Sequence, residues 1–133
     1  ALRGFARRLK ARDRGFLGFR NNSLAHVAWL GIRDEIVAEY ETGPDCRVKL
    51  DSPAAVIYDC WTTPSQRGYG VYPAMLRYLC SLATNEGFTP WIYCEASNHA
   101  SQAGIRKAGF TPVYHFHRRK AGRAVRSWVS PAD

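Results

Sequence analysis

Ten residues, Ala54–Thr63, and the glycine-containing turn behind them limit the possible folds of this chain more than any other feature. Val56, Ile57, Tyr58, Cys60, Trp61 and Thr62 are β-branched, aromatic or apolar, and Pro64 stops the run, so it predicts a buried central strand. Pro73 then opens a helix at a position where its missing N–H costs nothing. Met75, Leu76, Leu79, Cys80, Leu82 and Ala83 form the apolar face of that helix, and Gly87 ends it. Trp91–Cys94 reads as a second short apolar strand. A strand, a crossover helix and a strand favour a parallel pair, so the sheet holds at least one parallel neighbour.

The rest of the chain adds antiparallel pieces. Gly15–Arg20 and Leu24–Gly31 read as a hairpin around Asn21, Asn22 and Ser23. Glu35–Glu41 fits a strand, and Thr42–Asp45 fits a turn around Gly43 and Pro44. Asn98 is placed to cap a helix running to about Ala108, with Gly109 behind it, and Pro112–Arg119 and Arg123–Ser130 close the chain as a hairpin. Leu2, Phe5 and Leu9 at helical spacing predict a short amphipathic helix over residues 2–12. The 133 residues suit one domain, 1–133, of the α/β (α+β) class, with a mixed, mostly antiparallel sheet flanked by helices.

Charge and cysteine usage narrow the function classes. A formal charge of +8, concentrated at the two ends, favours anionic partners such as a phosphate-rich cofactor, nucleic acid or a membrane surface. No apolar run is long enough to span a bilayer, and the basic first fourteen residues lack the apolar stretch of a secretory signal. Cys46, Cys60, Cys80 and Cys94 form no CxxC pair, which predicts a reduced, cytoplasmic protein without metal.

The chemistry centres on Gln66, Arg67, Gly68, Tyr69, Gly70, Val71 and Tyr72. Two glycines let the backbone turn tightly into a helix whose unsatisfied amides and dipole point at one spot, as holding a phosphate or pyrophosphate requires. Arg67 adds a cation. The plainer alternative is that Gly68 and Gly70 only shape the strand-to-helix turn. Thr63-Pro64-Ser65-Gln66-Arg67-Gly68-Tyr69-Gly70 resembles the acyl-CoA pyrophosphate loop of the GNAT superfamily of acyl-CoA-dependent N-acyltransferases. Asn98, Ser101, Lys107, Gly109 and Phe110 resemble its second segment, an asparagine-started helix ending in Gly-Phe.

That resemblance implies a sheet splayed between its fourth and fifth strands, here Ala54–Thr63 and Trp91–Cys94, to admit the pantetheine arm of acetyl-CoA or another acyl-CoA. It implies that backbone groups near Trp61, Thr62 and Thr63 pair with the arm, that Asn98 and Ser101 line it, and that Arg67, Gly68, Tyr69, Gly70, Val71 and Tyr72 hold the pyrophosphate. The implied reaction moves an acyl group, acetyl above others, to a primary amine of a small molecule, amino sugar or peptide by direct attack on the thioester. The chain departs from the family pattern in three places. Tyr72 stands where the loop normally ends in glycine or alanine. Ile105 stands where many members carry a tyrosine that protonates the leaving thiolate. The first strand and helix of the family are not visible.

Asp59 and Glu95 are the candidate catalytic carboxylates, to take a proton from the amine or anchor it. The alternatives are an ion pair to a neighbouring arginine for Asp59 and a helix-capping charge for Glu95. His99, and the pair His115 and His117 on one strand face, are weaker candidates. Two other readings stay open. One is a non-catalytic acyl-CoA-binding or regulatory module, suggested by Ile105. The other is a nucleic-acid-binding module, suggested by the charge, though nucleic acid is not the expected partner. A homodimer is compatible with either CoA reading.

Overall fold

The computed structural model describes residues 12–40 and 42–133, so the helix predicted over residues 2–12 lies almost wholly outside the described residues. Three strands open the fold: β1 (Arg14–Arg20), β2 (Ser23–Ala38) and β3 (Cys46–Thr62). The first helix, α1 (Val71–Asn85), leads to β4 (Thr89–Ile92), and α2 (His99–Lys107) leads to the hairpin β5 (Tyr114–Ala121) and β6 (Ala124–Pro131). The main sheet runs β1-β2-β3-β4, with β1–β2 and β2–β3 antiparallel and β3–β4 parallel. Among the described residues β5 and β6 pair only with each other, as a separate two-stranded sheet.

Several boundaries differ from the sequence reading. β2 runs on through Glu35 to Ala38, and β3 begins at Cys46 rather than Ala54. These extensions form the far arms of one long hairpin, where Arg33, Asp34, Glu35, Arg47 and Lys49 mask the β pattern. Glu35 pairs with Lys49 in register, and the Arg47 guanidinium reaches the Glu35 carboxylate at 2.8 Å. Pro73 is the third helical residue, not the opener, because Gly70 caps α1 in a left-handed conformation. The strand predicted over Trp91–Cys94 is Thr89–Ile92, so Tyr93 and Cys94 lie outside the sheet.

Two apolar clusters sandwich the sheet. On one face Ala28, Leu30, Ala55 and Ile57 pack against Leu76, Leu79 and Ala83 of α1, with Ile105 of α2 and Ala108 just behind it alongside. On the other, Ile36, Leu50, Ala54 and Val56 meet Trp91 and Phe116. Each fully buried leucine or isoleucine contributes about 1.5–3 kcal/mol.

A bulge in β3 decides what faces the site. Asp59 has φ of 48°, and the β2–β3 register slips between Val27 and Trp29. The extra residue shifts the side-chain alternation by one. Ala55 and Ile57 face α1 before the bulge, and Cys60, not Asp59 or Trp61, packs with that cluster after it.

Candidate active site

The turn between β3 and α1 is a short 3-10 segment, Pro64–Gln66, followed by two glycines in the left-handed region, Gly68 (φ 84°) and Gly70 (φ 73°). A Cβ at either glycine would meet nothing within 4 Å among the described residues, so their requirement is conformational. The first turn of α1 has N–H groups with no intrahelical acceptor, and Pro73 reduces their number by one. Arg67 is anchored from below, its Nε donating to the Thr62 carbonyl at 3.1 Å. Arg20 ties the loop to β1, donating to Gln66 Oε1 at 3.2 Å and stacking 3.8 Å over the Tyr69 ring. The arrangement can hold an anion at the N-terminus of α1.

Below this loop the sheet opens. β3 and β4 pair from Ala54↔Thr89 to Ile57↔Ile92, after which β4 ends while β3 continues to Thr62. The strip of β3 beyond Ile57 therefore has a partner in β2 but none in β4. Its register shows which backbone groups face the gap. The Thr63 amide donates to the Ala25 carbonyl at 2.9 Å, so Thr63 is committed to β2 and, by alternation, so is Trp61. Thr62 and Cys60 present their backbone groups to the gap. Of the three residues predicted to offer backbone pairing there, Thr62 alone is oriented for it, and Cys60 is one the sequence reading missed.

Tyr72 occupies the ground between this gap and α2. Its ring stacks on His26 at a centroid distance of 5.3 Å, and its phenol oxygen lies 3.1 Å from Ser101 Oγ. Ser101 is fixed in turn: its amide donates to the Asn98 side chain at 3.0 Å, the predicted helix cap. The Tyr72 hydroxyl lies against the Cys60 sulfur and Ser101 against the Cys94 sulfur, so polar contacts run from the β3 side of the gap to the β4 side, while Cys60 Sγ donates to the Tyr58 carbonyl at 3.9 Å. Burial pushes the Tyr72 phenol up to about 12 and the Cys60 thiol likewise up to about 12. His26 is 1% exposed, with Nδ1 2.8 Å from Thr62 Oγ1, and burial pulls it down to about 4. It is neutral at pH 7.

Comparison with known proteins agrees with this geometry. Residues 3–110 match the model of the acetyltransferase (GNAT) family. The chain belongs to that family. Among solved structures the chain is similar to aminoglycoside 6′-N-acetyltransferase AAC(6′)-IG from Acinetobacter haemolyticus, with 20% identity, TM-score 0.61, and 83% of this chain and 71% of that one covered. It is also similar to AAC(6′)-Iy in complex with the bisubstrate analogue CoA-S-monomethyl-acetylneamine, with 22% identity, TM-score 0.62, and coverage of 83% and 70%. A predicted acetyltransferase from Clostridium acetobutylicum with acetyl-CoA aligns at 20% identity and TM-score 0.55, with coverage of 82% and 65%. At these identities the likeness shows the fold. No curated protein matches the chain.

This GNAT chain places its candidate carboxylates less tightly than its loop. Asp59 is the exposed bulge residue of β3, and Glu95 is exposed, three residues beyond β4. The Glu95 carbonyl accepts from the Asn98 amide at 3.0 Å, so its backbone belongs to the turn that launches α2. His99 is exposed at the start of α2. His115 and His117 lie on the separate hairpin, where His117 stacks on Trp128 at 5.0 Å and bonds Ser130 Oγ at 2.7 Å. Ile105 packs in the α1 core. A concavity of about 510 Å³ lined by Phe16, Gly18, Arg20, Tyr69, Met75 and Tyr78 touches the loop but faces β1 rather than the gap. His26 carried no sequence signal, since only the packing of α1 on β2 brings it beneath Tyr72. No helix among the described residues is long and apolar enough to cross a membrane.

Proposed function

We propose that this protein transfers the acetyl group of acetyl-CoA to a primary amine, by direct attack of the amine nitrogen on the thioester. The observation that carries this reading is the juxtaposition of an anion cradle at the N-terminus of α1 with the end of β3 that β4 leaves unpaired. The Arg67–Tyr72 loop takes the pyrophosphate. The pantetheine arm lies along β3 as an added strand, paired with the backbone of Cys60 and Thr62 and flanked by Asn98 and Ser101. Thr62 shares its carbonyl between Arg67 and the arm, which couples the loop to the thioester.

An amine of pKa near 10 is mostly protonated at neutral pH and loses a proton before it attacks. Asp59 and Glu95, both solvent-accessible, are assigned to receive or relay that proton. The acceptor is an amine of a small molecule, amino sugar or peptide, and the four free cysteines suit a reducing cytoplasm.

Calorimetric titration with acetyl-CoA and CoA tests the reading, with Gly70→Trp as a blocked-loop control. Micromolar binding that the variant loses supports it, and an absence of binding by the folded wild-type chain refutes it. CoA release is then followed with a panel of aminoglycosides, polyamines and peptide amines. The apolar Ile105 favours one second reading, a binding module without turnover, which saturable binding with no CoA release across that panel would support.

A further inference from the structure

Tyr72 is held by three elements at once. Its backbone starts α1, its ring lies on His26 of β2, and its phenol meets Ser101 of α2. The ring fits because Gly104 has no side chain: a Cβ there would stand 2.4 Å from Tyr72 Cδ2. With Cys60 on the β3 side and Cys94 on the β4 side, the phenol sits across the mouth of the gap between the two strands. Meanwhile α2 offers no proton donor at position 105, where an isoleucine is packed in the core.

We propose that Tyr72 is the hydrogen-bond donor to the sulfur of acyl-CoA as it departs, acting from the first turn of α1 instead of from α2. The inference rests on the acyl-CoA reading above. The amine nitrogen bonds the acyl carbon, the carbon–sulfur bond breaks, and its electron pair goes to sulfur. Where Ser101 Oγ is the donor in the hydrogen bond it shares with the phenol, the phenolic hydrogen turns from the Cys60 sulfur to the departing sulfur. The phenol keeps its proton, because burial holds Tyr72 near 12 whereas an unperturbed thiol ionises at about 8.5. Full transfer would therefore run uphill. The thiolate leaves stabilised by a charge-assisted hydrogen bond and takes its proton from solvent, while the proton lost by the amine goes to the base or to water.

The test reads the thiol of bound CoA by its ultraviolet thiolate absorbance across a pH titration of the full chain. In the wild type the bound thiol ionises at lower pH than free CoA. In Tyr72→Phe, which keeps the ring stack, its ionisation constant falls about tenfold to hundredfold, the range of one hydrogen bond to a charged group. With an acceptor found by the panel, kcat falls by a similar factor with KM for acetyl-CoA little changed, and the loss shrinks for aryl thioesters with better leaving groups. Equal ionisation constants in wild type and Tyr72→Phe overturn the proposal while leaving the acyl-CoA reading intact. A wild-type bound thiol no more acidic than free CoA does so even if the variant fails to fold. No CoA binding at all overturns both.

Discussion

His26 makes the stability of this protein depend on pH in a way that can be worked out in advance. The ring is 1% exposed, its Nδ1 is engaged by Thr62, and its Nε2 has no hydrogen-bond partner among the described residues. Burial lowers its pKa from 6.5 to about 4. Between those values the unfolded chain binds a proton that the folded chain does not, so stability is fully present above pH 6.5 and is lost as pH falls towards 4. The gap corresponds to about 3 kcal/mol at full development, of which about 2.5 kcal/mol is expressed at pH 4.5. Against a typical stability of roughly 5–15 kcal/mol, that is a large fraction. Urea unfolding at pH 7 and pH 4.5 should show the wild type losing about that much more than His26→Phe, which keeps an aromatic ring on Tyr72 but cannot titrate. Equal losses in the two proteins would refute the argument and place the acid sensitivity elsewhere.

Gly104→Ala drives a methyl group into the Tyr72 ring and should cost about 1–2 kcal/mol despite the better helix propensity of alanine, whereas in a Tyr72→Ala background it should be neutral or stabilising; a double-mutant cycle by urea melts decides. Arg33→Met strips the ion-pair partner from Asp13, whose side chain is 2% exposed and also accepts from Tyr58, and should cost about 3 kcal/mol; a loss under about 1 kcal/mol would show that the pair is not effectively buried. Asn98→Ala should destabilise α2 by about 1 kcal/mol and Asn98→Asp should not, read by thermal unfolding.

Much of the fold was legible because local chemistry and global architecture agree over Val56–Phe110. The apolar run before Pro64, the two spaced glycines, the amphipathic α1 and the Asn98 cap each specify their element without help from distant residues, and Asn98 does accept from the Ser101 amide. The family pattern could be read there for the same reason. Local pattern failed where tertiary pairing rules. Glu35–Glu41 was legible as a strand, but that Ile32–Ala38 continues β2 and Cys46–Leu50 opens β3 was not, because it is their register with each other that joins them to those strands. The C-terminal hairpin itself was legible, but that it forms a sheet of its own was not, because strand propensity carries no information about which sheet a strand joins.

The candidate site divides in the same way. Sequence by itself determined the loop, since the two spaced glycines reach φ of 84° and 73° without a side-chain penalty. Only the tertiary structure decided what faces the gap, because the bulge at Asp59 shifts the alternation of β3, turning Cys60 towards α1 and leaving Asp59 exposed at the bend. Tyr72 read as an anomaly in the sequence. In the fold its ring fills the space that Gly104 leaves and rests on a histidine forty-six positions earlier in the chain, a contact that exists only because β2 and α1 pack face to face.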